Sequence, residues 1–325
     1  MKTLKQILGV CLTFLVASST FAGNKEEGIS LYDQMKYAEA LSYFLKADAV
    51  KDPWVQNRLG NMYISGRGVE ADAKAAFDWY TKASKQNYAD AVSNLGRMYD
   101  EGLYVNRDYK MAVKLHEKAI KMGSTYAMVN LAFMYQRGAG VDKDLEKARY
   151  WYTEADVKGD LDGTCQLGLM YRDGTAGTQD YSKAKELFDQ GIQGNNACSY
   201  GGLALLYYDG QGVQKNIKRS FELDLRGAEL GSYAAQFNVA RAYDFGIGVK
   251  KDLKQAFYWY KIAAENGSPA AMDRMADVYL LGRLGQEKDI AKGKMWQERA
   301  KKTRYELREE APSAANEFVR RLLQE

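Results

Sequence analysis

The chain has 325 residues, with 46 Lys and Arg against 42 Asp and Glu and a formal charge of +4. That balance gives no electrostatic ground for binding nucleic acid, which needs a clustered basic face. A single histidine excludes every two-histidine metal motif and leaves one candidate for any histidine-based triad.

Residues 1–22 read as an export signal. Lys2 and Lys5 supply the positive end, Ile7 to Val16 the apolar stretch, and Thr20-Phe21-Ala22 a small-residue cleavage site. Leu8-Gly9-Val10-Cys11 is a poor lipoprotein box, because Val10 is bulky where a small residue is needed. No later window approaches 18 apolar residues, so the mature chain is not expected to insert into a membrane, and its expected destination is the periplasm or the exterior. Cys165 and Cys198 remain after cleavage, too few for a disulfide framework, so the core has to come from burial. Gly28, Tyr32, Tyr37, Ala40, Phe44 and Ala47 then predict a short helical hairpin over 23–52.

From residue 53 the sequence repeats itself. Tyr63, Tyr99, Tyr135, Tyr171, Tyr207, Tyr243 and Tyr279 recur every 36 residues, and Gly66, Gly102, Gly138, Gly174, Gly210, Gly246 and Gly282 keep the same phase. So do Asp72, Asp108, Asp144, Asp180, Asn216 and Asp252, followed four residues later by Ala76, Ala112, Ala148, Ala184, Ser220 and Ala256. Within one unit, Val55, Leu59, Met62 and Tyr63 form an apolar stripe at helical spacing, with Gly60 on it for close helix approach. Gly66 ends that helix in a left-handed turn. Asp72 caps the next one, and the exchange for Asn216 fits capping rather than catalysis. Ala76, Trp79, Tyr80 and Ala83 carry the second helix, alternating large and small side chains so that neighbours interlock. In the seventh unit Leu284 replaces the turn glycine, Lys288 the cap and Lys292 the alanine. Beyond it, Pro312-Ser313 restarts the chain into a short helix whose Phe318, Leu322 and Leu323 stripe is expected to seal the last hairpin.

The run Leu131-Ala132-x-x-Tyr135-x-x-Gly138-x-Gly140-Val141-x-x-Asp144-x-x-x-Ala148-x-x-Trp151-Tyr152-x-x-Ala155 resembles the Sel1-like repeat, a relative of the tetratricopeptide repeat. The resemblance implies an all-α fold, a right-handed α-solenoid superhelix of stacked helix-turn-helix repeats. Its expected parts are a signal over 1–22, a tetratricopeptide-like capping hairpin over 23–52, seven repeats over 53–304 and a C-terminal capping helix over 305–325. It also implies a non-catalytic scaffold for a protein or peptide partner, with the first helix of each repeat on the concave side. On that geometry Arg97, Val129, Phe133, Leu169, Arg172, Leu205, Tyr208, Phe237 and Arg241 face the groove as binding candidates. Two readings of these slots stay open, an apolar peptide trough with charged ends or side chains buried against one another. A cell-envelope hydrolase or penicillin-binding activity is an alternative from relatives, weakened by the lack of a convincing base in the mature region; peptidoglycan or glycan binding is a third.

No catalytic, metal or cofactor site is expected. His116 falls in the slot of Tyr80, Tyr152 and Tyr260 and reads as a flat ring in the packing, with no serine or cysteine placed by the register to face it. Pairs such as Gly138-Ala139-Gly140 follow helices and lack the P-loop lysine, so they are turns. Asp142, Asp144, Asp173 and Asp209 do not match calcium-loop spacing. Cys165 and Cys198 lie 33 residues apart, within one helical turn of the repeat period, a spacing that allows a disulfide without requiring one.

Overall fold

Asp72, Asp108, Asp144, Asp180, Asn216 and Asp252 each accept the backbone N–H three residues ahead at 2.9–3.1 Å and so start the second helix of a repeat. The N–H of each donates back to the carbonyl of the repeating tyrosine, as in Asp72 to Tyr63 at 3.0 Å and Asp108 to Tyr99 at 2.9 Å. One residue thus caps one helix and ties it to the other. Gly66, at φ 67°, ends the first helix in the left-handed region where a side chain is strained.

The structure is a computed structural model and describes residues 23–46, 49–175, 177–304, 319 and 321–324. Residues 1–22, read above as a signal, together with Ala47, Phe318 and Arg320, lie outside the described residues. Among the described residues there are helices and no strand. Helix α1 covers 23–33, followed by α2 (Tyr37–Phe44) and a 3-10 turn (Ala49–Lys51). The repeats are built from α3 (Pro53–Ser65), α4 (Ala73–Ser84), α5 (Ala89–Glu101), α6 (Tyr109–Lys121), α7 (Thr125–Arg137) and α8 (Leu145–Val157). They continue with α9 (Leu161–Asp173), α10 (Tyr181–Gln193), α11 (Ala197–Asp209), α12 (Ile217–Glu229), α13 (Tyr233–Phe245), α14 (Leu253–Glu265), α15 (Pro269–Leu281) and α16 (Ile290–Arg304). The two helices of a repeat pack as a hairpin, as α3 does with α4 and α11 with α12, and within a unit the second helix packs on the first helix of the next, as α10 does on α11 and α12 on α13. This is an all-α solenoid of stacked helix pairs.

The chain divides into two units. The first comprises residues 1–127 with 309–325. Its N-terminal core gathers Leu31, Ala40, Phe44, Val55, Leu59 and Met62, so the leading hairpin is sealed onto the first repeat by burial of its apolar faces. The described C-terminal residues also belong here: Val319 and Leu322 are buried, and Lys118 Nζ on α6 donates to the Leu322 carbonyl. The expected place of this stripe is the last hairpin; of its described residues, Leu322 is bonded to α6 and Leu323 lines a cavity with Met111 and Met122 of that helix and its C-terminal end.

The second unit comprises residues 128–308. Its core is a series of small clusters, each spanning consecutive repeats, such as Ala148, Tyr152, Leu167 and Met170, or Phe188, Leu203, Leu206 and Leu223. Cys165 on α9 and Cys198 on α11 are joined by a disulfide, with Cα atoms 6.0 Å apart, clipping the fourth repeat to the fifth. The seventh repeat corrects the sequence reading. Asp289, not Lys288, accepts from Lys292 N at 2.9 Å, and Gly293, not Lys292, is the small residue packed under Leu280. One extra residue in the turn, where Leu284 and Gly285 both have positive φ, shifts the phase by one.

Candidate binding face

The residues that repeat and the residues that vary take different places. At the ring slot of the second helix, Tyr80, His116, Tyr152, Phe188 and Tyr260 are all buried, none more than 1 % exposed. The small residue opposite makes room: a Cβ on Gly60 would come within 2.4 Å of the Tyr80 ring, and one on Gly168 within 2.7 Å of Phe188. Where the ring carries a polar atom, that atom reaches the varying slots of the first helix. The Tyr80 hydroxyl donates to Asn61 Oδ1 at 2.8 Å and the Tyr152 hydroxyl to Gln136 Oε1 at 3.1 Å. His116 follows the same plan, with Gly96 under its ring. A serine does face it, contrary to the sequence reading: Ser93 Oγ lies 3.0 Å from His116 Nδ1. Both residues are buried, so the pair is closed to any substrate.

The nine candidate groove residues separate into three groups. Arg97, in the first unit, is occupied, donating to the Tyr126 hydroxyl at 3.3 Å and lying 3.8 Å from Glu101. Arg172, in the second, is held by Asp173 through two bonds of 2.7 and 3.0 Å. Val129, Leu169 and Phe237 are half-buried against the repeat clusters; Phe237 meets Tyr260 edge to face at 5.6 Å. That leaves Phe133 at 47 %, Leu205 at 37 % and Tyr208 at 41 % exposure, with an exposed Arg241. Arg137 stacks its guanidinium 4.6 Å from the Phe133 ring, the usual partner for an aromatic in water.

Three of these residues meet at one place. Leu205 and Tyr208 from α11 and Arg241 from α13 line a cavity of ≈ 200 Å³, walled by Ile217, Phe221, Ala242 and Ile247. Asp224 and Asn238 also line it, with Asn238 donating to the Asp224 carboxylate at 3.3 Å. Burial in these apolar surroundings pushes the Asp224 carboxyl up to about 7, against the pull of the Asn238 bond. Sequence reading missed Asp224. The signal was present in the register: Asp224 stands 36 residues after Phe188 and 36 before Tyr260, in the slot where the other repeats carry rings.

No group of three or more His, Cys, Asp or Glu able to hold a metal is found among the described residues. Nor is any described helix long and apolar enough to cross a membrane.

The comparisons with known proteins agree with this construction. The Sel1 repeat family profile matches residues 55–88, 89–124, 125–155, 162–196, 199–232, 234–268 and 269–302. A Sel1 repeat protein from Oxalobacter formigenes is similar in structure, 30 % identical, covering 85 % of this chain and 96 % of its own, at TM-score 0.50. The immunity protein PA5088 from Pseudomonas aeruginosa shares the fold at 21 % identity and TM-score 0.54, covering 70 % of this chain and 86 % of its own. A protective antigen from uropathogenic Escherichia coli strains, c5321, matches at 26 % identity over 94 % of this chain and 75 % of its own, at TM-score 0.40. No curated protein matches the sequence. With seven matched repeats built on one hairpin plan, the chain belongs to the Sel1 repeat family, whose members are in general non-catalytic scaffolds for protein interaction.

Proposed function

We propose that this chain is an exported scaffold that holds a protein or peptide partner along the first-helix face of residues 128–308. The observation that carries the reading is the exposure of Phe133, Leu205 and Tyr208 on that face, beside Arg241, while the repeating rings are buried. Leu205 and Tyr208 stand together beside Arg241, and a cluster of large apolar side chains in water favours an interaction surface. An extended or helical segment crossing them would bury its own apolar groups, and Arg241 would fix its direction through a carboxylate. The Cys165–Cys198 disulfide supports export, since such bonds persist in oxidising compartments.

The test is affinity capture from cell-envelope and extracellular fractions with protein lacking residues 1–22. A chain carrying Phe133→Glu and Leu205→Glu, shown to be folded by circular dichroism, is expected to lose the proteins that the unaltered chain retains. Equal recovery by both would contradict the reading.

A further inference from the structure

The fifth repeat departs from the others at the ring slot of its second helix, and the residue found there lines a cavity. In the five preceding and following repeats that keep the 36-residue phase, the second helix places Tyr, His, Tyr, Phe and Tyr at residues 80, 116, 152, 188 and 260. Each ring fills the space beside the first helices, and the tyrosine hydroxyls end on side chains at the varying slots. At 224 the ring is replaced by a carboxylate about half its length. A cavity of ≈ 200 Å³ lies at this slot, lined by the half-buried Asp224, the buried Ser220 and Ala242, and the exposed Leu205, Tyr208 and Arg241. An apolar cavity of about 150 Å³ is enough to admit benzene, so this one has room for a single aromatic ring.

We propose that this cavity receives a tyrosine side chain from the peptide partner, whose ring takes the place of the one the fifth repeat lacks and whose hydroxyl donates to the Asp224 carboxylate. Three features favour a phenol. The walls Leu205, Ile217, Phe221 and Ile247 are apolar and suit a ring face. Asp224 has one hydrogen-bond partner among the described residues, Asn238, so its carboxylate retains accepting capacity for a hydroxyl donor. The charged groups that face the cavity are Asp224 on α12 and Arg241 on α13: a free amine is opposed by Arg241, and a carboxylate by the ionised share of Asp224. A neutral donor on an aromatic body meets neither objection. The burial that raises the Asp224 carboxyl toward neutrality also makes a new hydrogen bond there worth more than it would be in water.

This inference rests on the peptide-scaffold reading for the source of the ring, and its test is independent of that reading. N-acetyl-tyrosinamide is titrated into the chain lacking residues 1–22 while methyl resonances are followed by NMR. Saturable shifts at Leu205, Ile217 and Ile247 are expected, with a Kd of about 1 mM or below. N-acetyl-phenylalaninamide should bind about fivefold more weakly, having no hydroxyl to donate. Asp224→Tyr restores the ring from within and should abolish the shifts. Asp224→Leu leaves an apolar floor without an acceptor, and should erase the preference for tyrosine over phenylalanine. Phe133→Glu should keep probe binding even where it loses the macromolecular partner, which separates failure of the trough from failure of the cavity. Absence of saturable shifts, shifts unchanged in Asp224→Tyr, or equal binding of the two amides by the unaltered chain would each overturn the proposal.

Discussion

Burial penalises the charged form of Asp224, so its carboxyl releases its proton only at about pH 7, whereas the unfolded chain, with that carboxyl in water, releases it near pH 4. The folded state therefore binds more protons than the unfolded state between those values. Its contribution to stability is complete below pH 4 and is lost as pH rises through 7. The loss is on the order of a few kcal/mol. Asp224→Asn keeps the shape without the titration. The stability of the unaltered chain relative to this variant is expected to fall as pH rises from 4 to 7, measured by urea unfolding; a pH-independent difference would contradict the account. Gly60 makes a second point at this scale. A methyl group there meets the Tyr80 ring at 2.4 Å, inside contact distance, so Gly60→Ala should cost about 1–3 kcal/mol in the first repeat.

At the scale of one helix, stability begins at the caps. Asp108 accepts from Met111 N at 2.9 Å and starts α6; Asp108→Ala should cost about 1 kcal/mol, whereas Asp108→Asn should be nearly silent, as Asn216 is in α12. Thermal melts of the two variants check both outcomes. These caps were legible because a helix start needs a particular side chain at a particular place, and the need repeats every 36 residues. So were the buried tyrosines and the turn glycines. The seventh repeat was misread for a physical reason: one residue added in its turn moves the cap to Asp289, and no local signal in Leu284-Gly285-Gln286-Glu287-Lys288 marks which residue is extra. The contact of Ser93 with His116 was equally hidden, since it depends on how two helices cross. Asp224 was hidden otherwise, by attention to what recurs when the informative residue is the one that does not.

For the molecule as a whole, the varying slots could be located from the register, but their state could not. Whether a first-helix side chain is free depends on partners elsewhere in the fold. Asp173 occupies Arg172, Arg274 holds Asp244 at 2.6 Å, and repeat clusters absorb Leu169 and Phe237, leaving Phe133, Leu205, Tyr208 and Arg241. The disulfide acts at this scale too. Closing a 33-residue separation, it should stabilise the fourth and fifth repeats by about 2–4 kcal/mol, and because repeats couple mainly to their neighbours the effect should be local. Hydrogen exchange with and without reductant is expected to show faster opening of α9 to α12 after reduction, with little change at α15; uniform loss of protection would contradict this.

Recurring side chains build the stack, and the proposed recognition falls to the exposed side chains of the first-helix face. Tyr150 and Tyr258 supply the control, being 55 % and 53 % exposed on second helices of the same unit. The direct measurement is partner binding by two folded double variants, Phe133→Glu with Leu205→Glu and Tyr150→Glu with Tyr258→Glu. The first is expected to lose binding and the second to keep it. Retained binding in the first, or its loss in the second alone, would contradict that assignment of recognition.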